Sequence, residues 1–310
     1  MKVVYHEDIL VPDIIGTSCT NSIKLKDVDF KVPCGKCLPC QKKRRSDWSL
    51  RLEHEYLFAD SAFFVTLTYN DASVPRTKEG YLTLNKKHLQ HYIKRLRNDN
   101  VQYLSKTYKV PKKEVKNVSK PIRYYAIGEY GSKTRRPHYH ILIFNYDINN
   151  ITPIRDQWKN TQTGIKYGHV DIGTVSGASI NYVTKYMFKY HGKKDKRVKP
   201  FSLMSKKPII GHAYLENYGT HHIKNDTLIT ADGNGVERRL PKAYIRRLFT
   251  DKEHRIELSL NSFKELQEKK LNSYKTNVEK HYSGKMLDYA QSKQSDLDRI
   301  RQSINNSETI

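Results

Sequence analysis

Arg136-Pro137-His138-Tyr139-His140-Ile141-Leu142-Ile143-Phe144 reads as a β-strand. β-Branched and aromatic residues dominate it, and Pro137 stands at its entry, where a missing N–H does least harm. Side chains alternate between the two faces of a strand. His138 and His140 therefore point one way, and Tyr139, Ile141 and Ile143 the other. Two imidazoles side by side on a rigid strand make half of a divalent-metal site. Apolar residues on both faces argue for a central strand covered on each side. Taken alone, such a pair reads more simply as two solvated or packed histidines near a strand end. The surrounding sequence shifts the balance.

Ile122 to Glu129 reads as a second central strand, and Tyr130 to Arg136 as a hairpin-like connection into the first. Antiparallel pairing would bring Glu129 across from His138, where a carboxylate can complete a metal site. An ordinary turn residue, or an ion pair with Arg135, is the plainer reading of Glu129. Ala62 to Tyr69 is the most strand-like run in the chain. In it Thr66 and Thr68 share a face with Phe64, and Asn70-Asp71 ends it with turn chemistry. Asn85 is a good N-cap for a helix whose buried stripe is Leu89, Tyr92, Ile93 and Leu96. Residues 99–120 are polar and Lys-rich and read as a long loop. A connector over 147–166 holds a short helix around Ile154–Trp158. A strand follows at Tyr167–Gly173, and Ser176 or Ser179 caps a helix running from Ile180 to Tyr190. On that helix Ile180, Val183, Met187 and Tyr190 face the sheet. Tyr182, Tyr186 and Lys189 cluster about 100° away, with Lys185 on their flank. A Tyr pair one turn apart is, by itself, ordinary amphipathic packing.

The chain has 310 residues, enough for one large domain with appendages or for two domains. Lys and Arg number 56 against 32 Asp and Glu, a net charge of +24, which implies a polyanionic partner, most simply nucleic acid. The 22 tyrosines fit the same partner, since phenols interleaved with cations can stack bases. No apolar run approaches a transmembrane span and no signal peptide opens the chain, so no membrane role is expected. Four cysteines in so long a chain argue against a disulfide scaffold and fit a reducing cytosol. Gly131-Ser-Lys-Thr134 lacks the spacing of a P-loop, so no nucleotide-driven motor is indicated.

The cysteines cluster. Cys34, Cys37 and Cys40 form a C-x2-C-x2-C run, and with Cys19 they could supply four zinc ligands. Thiols packed in a turn are the equal alternative. The basic run Gln41–Arg45 leads into a helix with Trp48, Leu52 and Tyr56 on its apolar face, Leu57 nearby, and Arg44, Arg45 and Arg51 near the wet side. Pro200 to His212 reads as irregular, and 213–224 as an aromatic, His-rich stretch. His221 and His222 are adjacent and would diverge on a strand, so they are not taken as ligands. A turn at Asp232–Gly235 joins two short strands. From Pro241 onward the composition is that of a peripheral helical tail.

A His pair with a carboxylate, a helix presenting two phenols, and a basic, Tyr-rich surround together suit phosphodiester transesterification. Three segments also resemble, in order, the motifs of the HUH endonucleases that initiate rolling-circle replication. The nearest likeness is to the initiators of small single-stranded DNA phages of the gokushovirus type. Phe64-Val-Thr-Leu-Thr-Tyr69 is similar to the first motif, Arg136-Pro-His-Tyr-His140 to the metal-binding motif, and Tyr182-Val-Thr-Lys-Tyr186 to the two-tyrosine motif. The resemblance spans about residues 34–190. It implies a nick in single-stranded origin DNA, a 5′-phosphotyrosine link on Tyr182 or Tyr186, a free 3′-OH, and later rejoining. It implies Mg²⁺ or Mn²⁺ on His138, His140 and Glu129, and action in the host bacterial cytoplasm beside the host helicase and polymerase. Lys185 is the candidate to assist the phenols, and Arg44, Arg45, Arg136 and Lys189 to hold DNA.

The expected fold is α+β: a central antiparallel sheet with helices on one side, the palm of HUH endonucleases and RRM-like domains, followed by a helical C-terminal region. The expected division is an N-terminal arm with the Cys cluster (1–45), a nicking domain (46–212) and a C-terminal region (213–310). The competing function is a single-stranded nucleic-acid-binding protein without catalysis. A nuclease that attacks with water is a third reading, and it would leave no protein-linked DNA end.

Overall fold

The computed structural model describes residues 31–185, 195–231 and 235–259, with short pieces before them (3–6, 9–12, 19, 21, 23–24) and a few positions after (261, 262, 265, 268, 269, 272, 276). Two small hairpins open the chain, β1 (Val3–His6) with β2 (Ile9–Pro12) and β3 (Ile23–Lys24) with β4 (Lys31–Val32). Helix α1 (Leu38–Leu57) then runs unbroken through residue 45. The remaining elements are β5 (Ala62–Thr68), α2 (Lys86–Thr107), α3 (Val115–Val118), β6 (Arg123–Tyr130), β7 (Pro137–Phe144), α4 (Thr152–Asp156), β8 (Val170–Thr174), α5 (Gly177–Lys185), β9 (Phe201–Met204), α6 (His212–Lys224), β10 (Ile229–Ala231), β11 (Glu237–Arg239) and α7 (Lys242–Leu248).

Five strands form one antiparallel sheet in the order β8-β5-β7-β6-β9. The fold class is thus α+β, with the His-Tyr-His strand β7 in the middle. Helices cover both faces, not one. On the first face Val65, Leu67, Tyr139, Ile141 and Ile143 meet Leu89, Tyr92, Ile93 and Leu96 of α2, and Trp158 beyond α4. On the second, Tyr125, Ile127, Leu142 and Phe144 meet Leu52 of α1 and Ile180 and Val183 of α5. Each fully buried side chain of this size contributes roughly 1.5–3 kcal/mol. A strand with apolar residues facing both ways needs a roof on both sides, which is why β7 lies at the centre.

Several local expectations are corrected. Residues 99–120 are not a loop: α2 continues to Thr107, and a 3-10 turn (Lys112–Glu114) leads into α3. The buried stripe runs on through Asn100 and Leu104, and Asn100 satisfies its polar side chain by accepting from the Asp147 N–H at 3.1 Å. Pro200–Lys207 contains strand β9. The aromatic stretch 213–224 is helix α6. The buried face of α1 includes Leu50, His54 and Glu55, whereas Tyr56 and Leu57 are exposed. Arg51 is not on the wet side. Its guanidinium lies 4.0 Å from the Trp48 ring centre, and its Nε donates to the Ile210 carbonyl.

Glu55 is buried because it is paired. Arg123 of β6 donates Nε to Glu55 Oε1 at 2.7 Å, and its Nη atoms donate to the carbonyls of Pro208 and Ile209. The other carboxylate oxygen, Oε2, accepts the Gly211 N–H. Every arm of this ion pair is filled, the condition under which buried charge is tolerated. A third cluster, built on Tyr214, Leu215, Leu228, Leu240, Tyr244, Ile245 and Phe249, joins α6, α7 and the β10–β11 hairpin. His54 of α1 stacks on Tyr214 at 3.8 Å and ties this cluster to the rest.

Candidate metal centre and nucleophile

Pairing of β6 with β7 sets Glu129 directly opposite His138, and pairing of β5 with β7 sets Thr66 opposite His140. Alternation does the rest: Phe64, Thr66, Glu129, His138 and His140 share the sheet face that carries α1 and α5. The Nε2 atoms of His138 and His140 lie 3.2 and 3.3 Å from the same oxygen, Glu129 Oε1. All three ligand atoms fall within 4.8 Å of one another.

The other ring nitrogens are anchored. His138 Nδ1 lies 3.2 Å from the Arg136 carbonyl, which can only accept, so Nδ1 carries the proton there. His140 Nδ1 meets Thr66 Oγ1 at 3.0 Å. Both rings thus turn Nε2 toward Glu129. Phe64 stacks flat on His140, with centroids 5.5 Å apart, and fixes its plane.

Glu129 is 2% exposed, yet its carboxyl is held down to about 2. Burial pushes it upward, but hydrogen bonds and charge from His138 and His140 outweigh burial. It is an anion at neutral pH. Glu129 Oε2 and His140 Nε2 are both buried without a hydrogen-bond partner. Such atoms are costly unless something binds them. Two imidazole nitrogens and an anionic carboxylate aimed at one point fit a divalent cation.

Helix α5 brings the phenol. Ser176 and Ser179 cap its start reciprocally, each side-chain oxygen accepting the other's N–H. Ile180 and Val183 bury against the sheet, which leaves Tyr182 at the helix edge over the ligand face. The Tyr182 hydroxyl donates to Glu129 Oε1 at 3.2 Å. Its ring stands edge-on to His140, with centroids 4.8 Å apart. Arg45 of α1 donates Nη2 to the Asn181 carbonyl, one residue before the phenol, at 3.4 Å. Lys185 is exposed at the end of α5. Tyr186 and Lys189 lie outside the described residues.

Arg44 donates to the Gly35 carbonyl at 3.4 Å. Arg136 is pinned at the entry of β7, its Nη1 2.5 Å from Asp71 and its Nη2 donating to the Tyr69 carbonyl. Thr66, Phe64 and the Arg45–Asn181 contact were not foreseen as parts of the site. Alternation had placed Phe64 and Thr66 on one face, but only the register of β5 against β7 sets them beside His140.

The four cysteines form a second candidate centre. No disulfide joins them, and their Sγ atoms lie within 4.8 Å of one another. Cys37 and Cys19 sulfurs are 3.7 Å apart. The N–H groups of Lys36 and Cys37 both point at Cys34 Sγ, and that of Cys34 at Cys19 Sγ. The Lys36 and Cys37 amides lower the Cys34 thiol below its usual range, while burial pushes Cys40 up to about 12. Four convergent sulfurs with amide donors fit a soft, tetrahedral cation.

Residues 62–191 match the family model of the ORF2-type replication-associated protein, a segment that holds β5, Glu129, both histidines and Tyr182. The chain is related to phage replication-associated proteins. It is 29% identical over 250 residues to replication-associated protein VP4 of Bdellovibrio phage phiMH2K, covering 75% of this chain and 71% of that protein. It is 29% identical over 255 residues to replication-associated protein ORF2 of Spiroplasma virus 4, covering 78% and 74%. A further relative is replication-associated protein ORF4 of Chlamydia phage 1, 25% identical over 178 residues, with 54% and 40% covered. No solved structure matches the chain. Like these phage relatives, the chain is assigned to DNA replication. Among the described residues no helix is long and apolar enough to cross a membrane.

Proposed function

We propose that this chain is a replication initiator that nicks single-stranded origin DNA by tyrosine transesterification and later rejoins the strands. The observation that carries this reading is the hydrogen bond from Tyr182 to Glu129 Oε1 within a buried two-histidine, one-carboxylate set. A protein that merely bound DNA would have no use for the unsatisfied Glu129 Oε2 and His140 Nε2. Residues 46–212 form the nicking unit in this reading, with 1–45 as an arm and 213–310 as a C-terminal region.

Mg²⁺ or Mn²⁺ held by Glu129, His138 and His140 would polarise the scissile phosphate and offset charge growing on its oxygens. Tyr182 is fixed at the helix edge by its bond to Glu129 and by the His140 ring. Its phenol oxygen attacks phosphorus as the bond to the 3′ oxygen breaks, leaving a 5′-phosphotyrosine and a free 3′-OH. Arg45 holds the backbone of α5 at Asn181 and so positions the phenol. Lys185 at the end of α5 supplies a cation for the phosphate or the phenolate. Tyr186, one turn beyond Tyr182, acts in a second cleavage without release of the first product. Arg44, Arg136 and Lys189 are the other proposed DNA-contacting cations. The Cys19-Cys34-Cys37-Cys40 set holds a structural Zn²⁺ that fastens the arm to the start of α1. The setting is the host bacterial cytoplasm, where the host helicase and polymerase would use the 3′-OH.

The test is a labelled origin single strand incubated with the protein and Mn²⁺ and run on a denaturing gel. A protein-linked DNA band is expected, absent when Tyr182→Phe and Tyr186→Phe are combined and absent under chelation. An adduct that persists in the double variant would reassign the nucleophile. Cleavage without adduct would mean attack by water.

A further inference from the structure

A groove of about 900 Å³ lies between α2, α3 and the outer edge of β9, and it takes no part in the centre described above. Tyr124, on its floor, is five residues before Glu129 in β6 and so faces the other side of the sheet. Every charged side chain lining it is Lys or Arg. Lys86, Lys112, Lys116, Lys206 and Lys207 are exposed on its walls and form no ion pair among the described residues. One floor cation is rigid. The Arg97 guanidinium lies 5.2 Å from the Tyr124 ring centre and donates to the Ile122 carbonyl and Ser205 Oγ. β9 closes the sheet at this end, so its outer backbone edge has no strand beside it among the described residues.

Walls of one sign with no carboxylate to compensate repel one another, and the arrangement is stable only against an anion. The wall lysines come from three separate segments and flank a channel too long for one phosphate. That spacing fits the repeating charge of a phosphodiester backbone. We propose that this groove is a second, sequence-independent DNA-binding site, holding a stretch of DNA on the sheet face opposite the centre that nicks. It lets the protein grip one part of a strand while another part lies at Tyr182.

The experiment uses the full chain and the triple variant K112E/K116E/K207E, none of which touches the nicking centre. Fluorescence anisotropy follows oligonucleotides of roughly 10 and 40 nucleotides, single-stranded and duplex, across a salt series. For the long DNA the variant's salt slope should fall by about 2, at ~0.7–0.9 per phosphate contact, with affinity down roughly 10–100-fold. Nicking of a saturating short origin strand should stay unchanged. A K112Q/K116Q/K207Q variant should fall between the two, and matched melting curves exclude misfolding. Equal slopes for variant and parent on all long DNA would overturn the site, as would an equal loss on short strands. Binding is read without cleavage, so failure of the nicking assay would leave this result standing.

Discussion

The Tyr182 hydroxyl reaches the same oxygen of Glu129, Oε1, that both imidazoles face, at 3.2 Å. Nucleophile and ligand set are therefore a single hydrogen-bonded unit joining α5 to β6. A phosphate polarised at the ligand set would lie beside the phenol oxygen with no domain movement required.

Glu129→Gln keeps the shape and removes the anion. Mn²⁺ affinity by calorimetry should fall about 10–100-fold, and the origin adduct with it. An unchanged Mn²⁺ affinity would remove Glu129 from the ligand set.

Thr66→Val deletes the hydroxyl that meets His140 Nδ1 while keeping a similar volume. The ring is then free to turn or change tautomer. Metal affinity should weaken about tenfold or more, with a stability cost of only ~1 kcal/mol. A large stability loss at unaltered metal affinity would make Thr66 a packing residue only.

Cys34→Ser with Cys37→Ser should abolish zinc in purified protein measured by elemental analysis, and should lower the melting temperature. Zinc content equal to that of the parent would end the assignment.

Glu55→Gln leaves the Arg123 guanidinium buried without its counter-charge. The expected loss is ~3–5 kcal/mol by chemical denaturation. Replacing both partners by apolar residues of matched volume should cost less than Glu55→Gln alone.

His54 is buried against Tyr214 and Tyr244, with Nδ1 unpartnered. Burial, then the positive charge of Arg238 and His222, lowers it to about 4. The unfolded chain takes up this proton near the ordinary value of 6.5, before the folded chain does. His54's contribution is therefore complete above about pH 6.5 and is lost as pH falls toward 4, by ~3 kcal/mol. His54→Phe should flatten this part of the stability–pH curve. An equal slope in parent and variant would assign the acid sensitivity elsewhere.

The strand order around His138 was legible because its signals are local. Alternation gives the face, and the short connection Tyr130–Arg136 forces β6 and β7 to pair with Glu129 opposite His138. The Asn85 cap is legible for the same reason: its side chain accepts the N–H groups of Lys87 and His88. What escaped reading depends on distant partners. Glu55 looks like a solvated helix residue until Arg123, 68 positions away, neutralises it. Asn100 breaks the apolar stripe of α2, so the helix seems to stop early. β9 has four residues, too few to show alternation, and takes its identity from β6. The second helical layer follows from the burial of Tyr125, Ile127, Leu142 and Phe144, which no single-strand pattern assigns to a particular roof.

The central place of β7 sets what the gene can vary. Substitutions at Ile141 or Ile143 exchange one core volume for another. Deleting or inserting one codon between Pro137 and Phe144 would invert the strand: His138 and His140 would turn into the packing under α2, and Tyr139 would take their place. Length changes should therefore be lethal inside this strand and tolerated in the exposed turn at residues 132–135, a contrast that a codon-insertion scan scored by plaque formation would display directly.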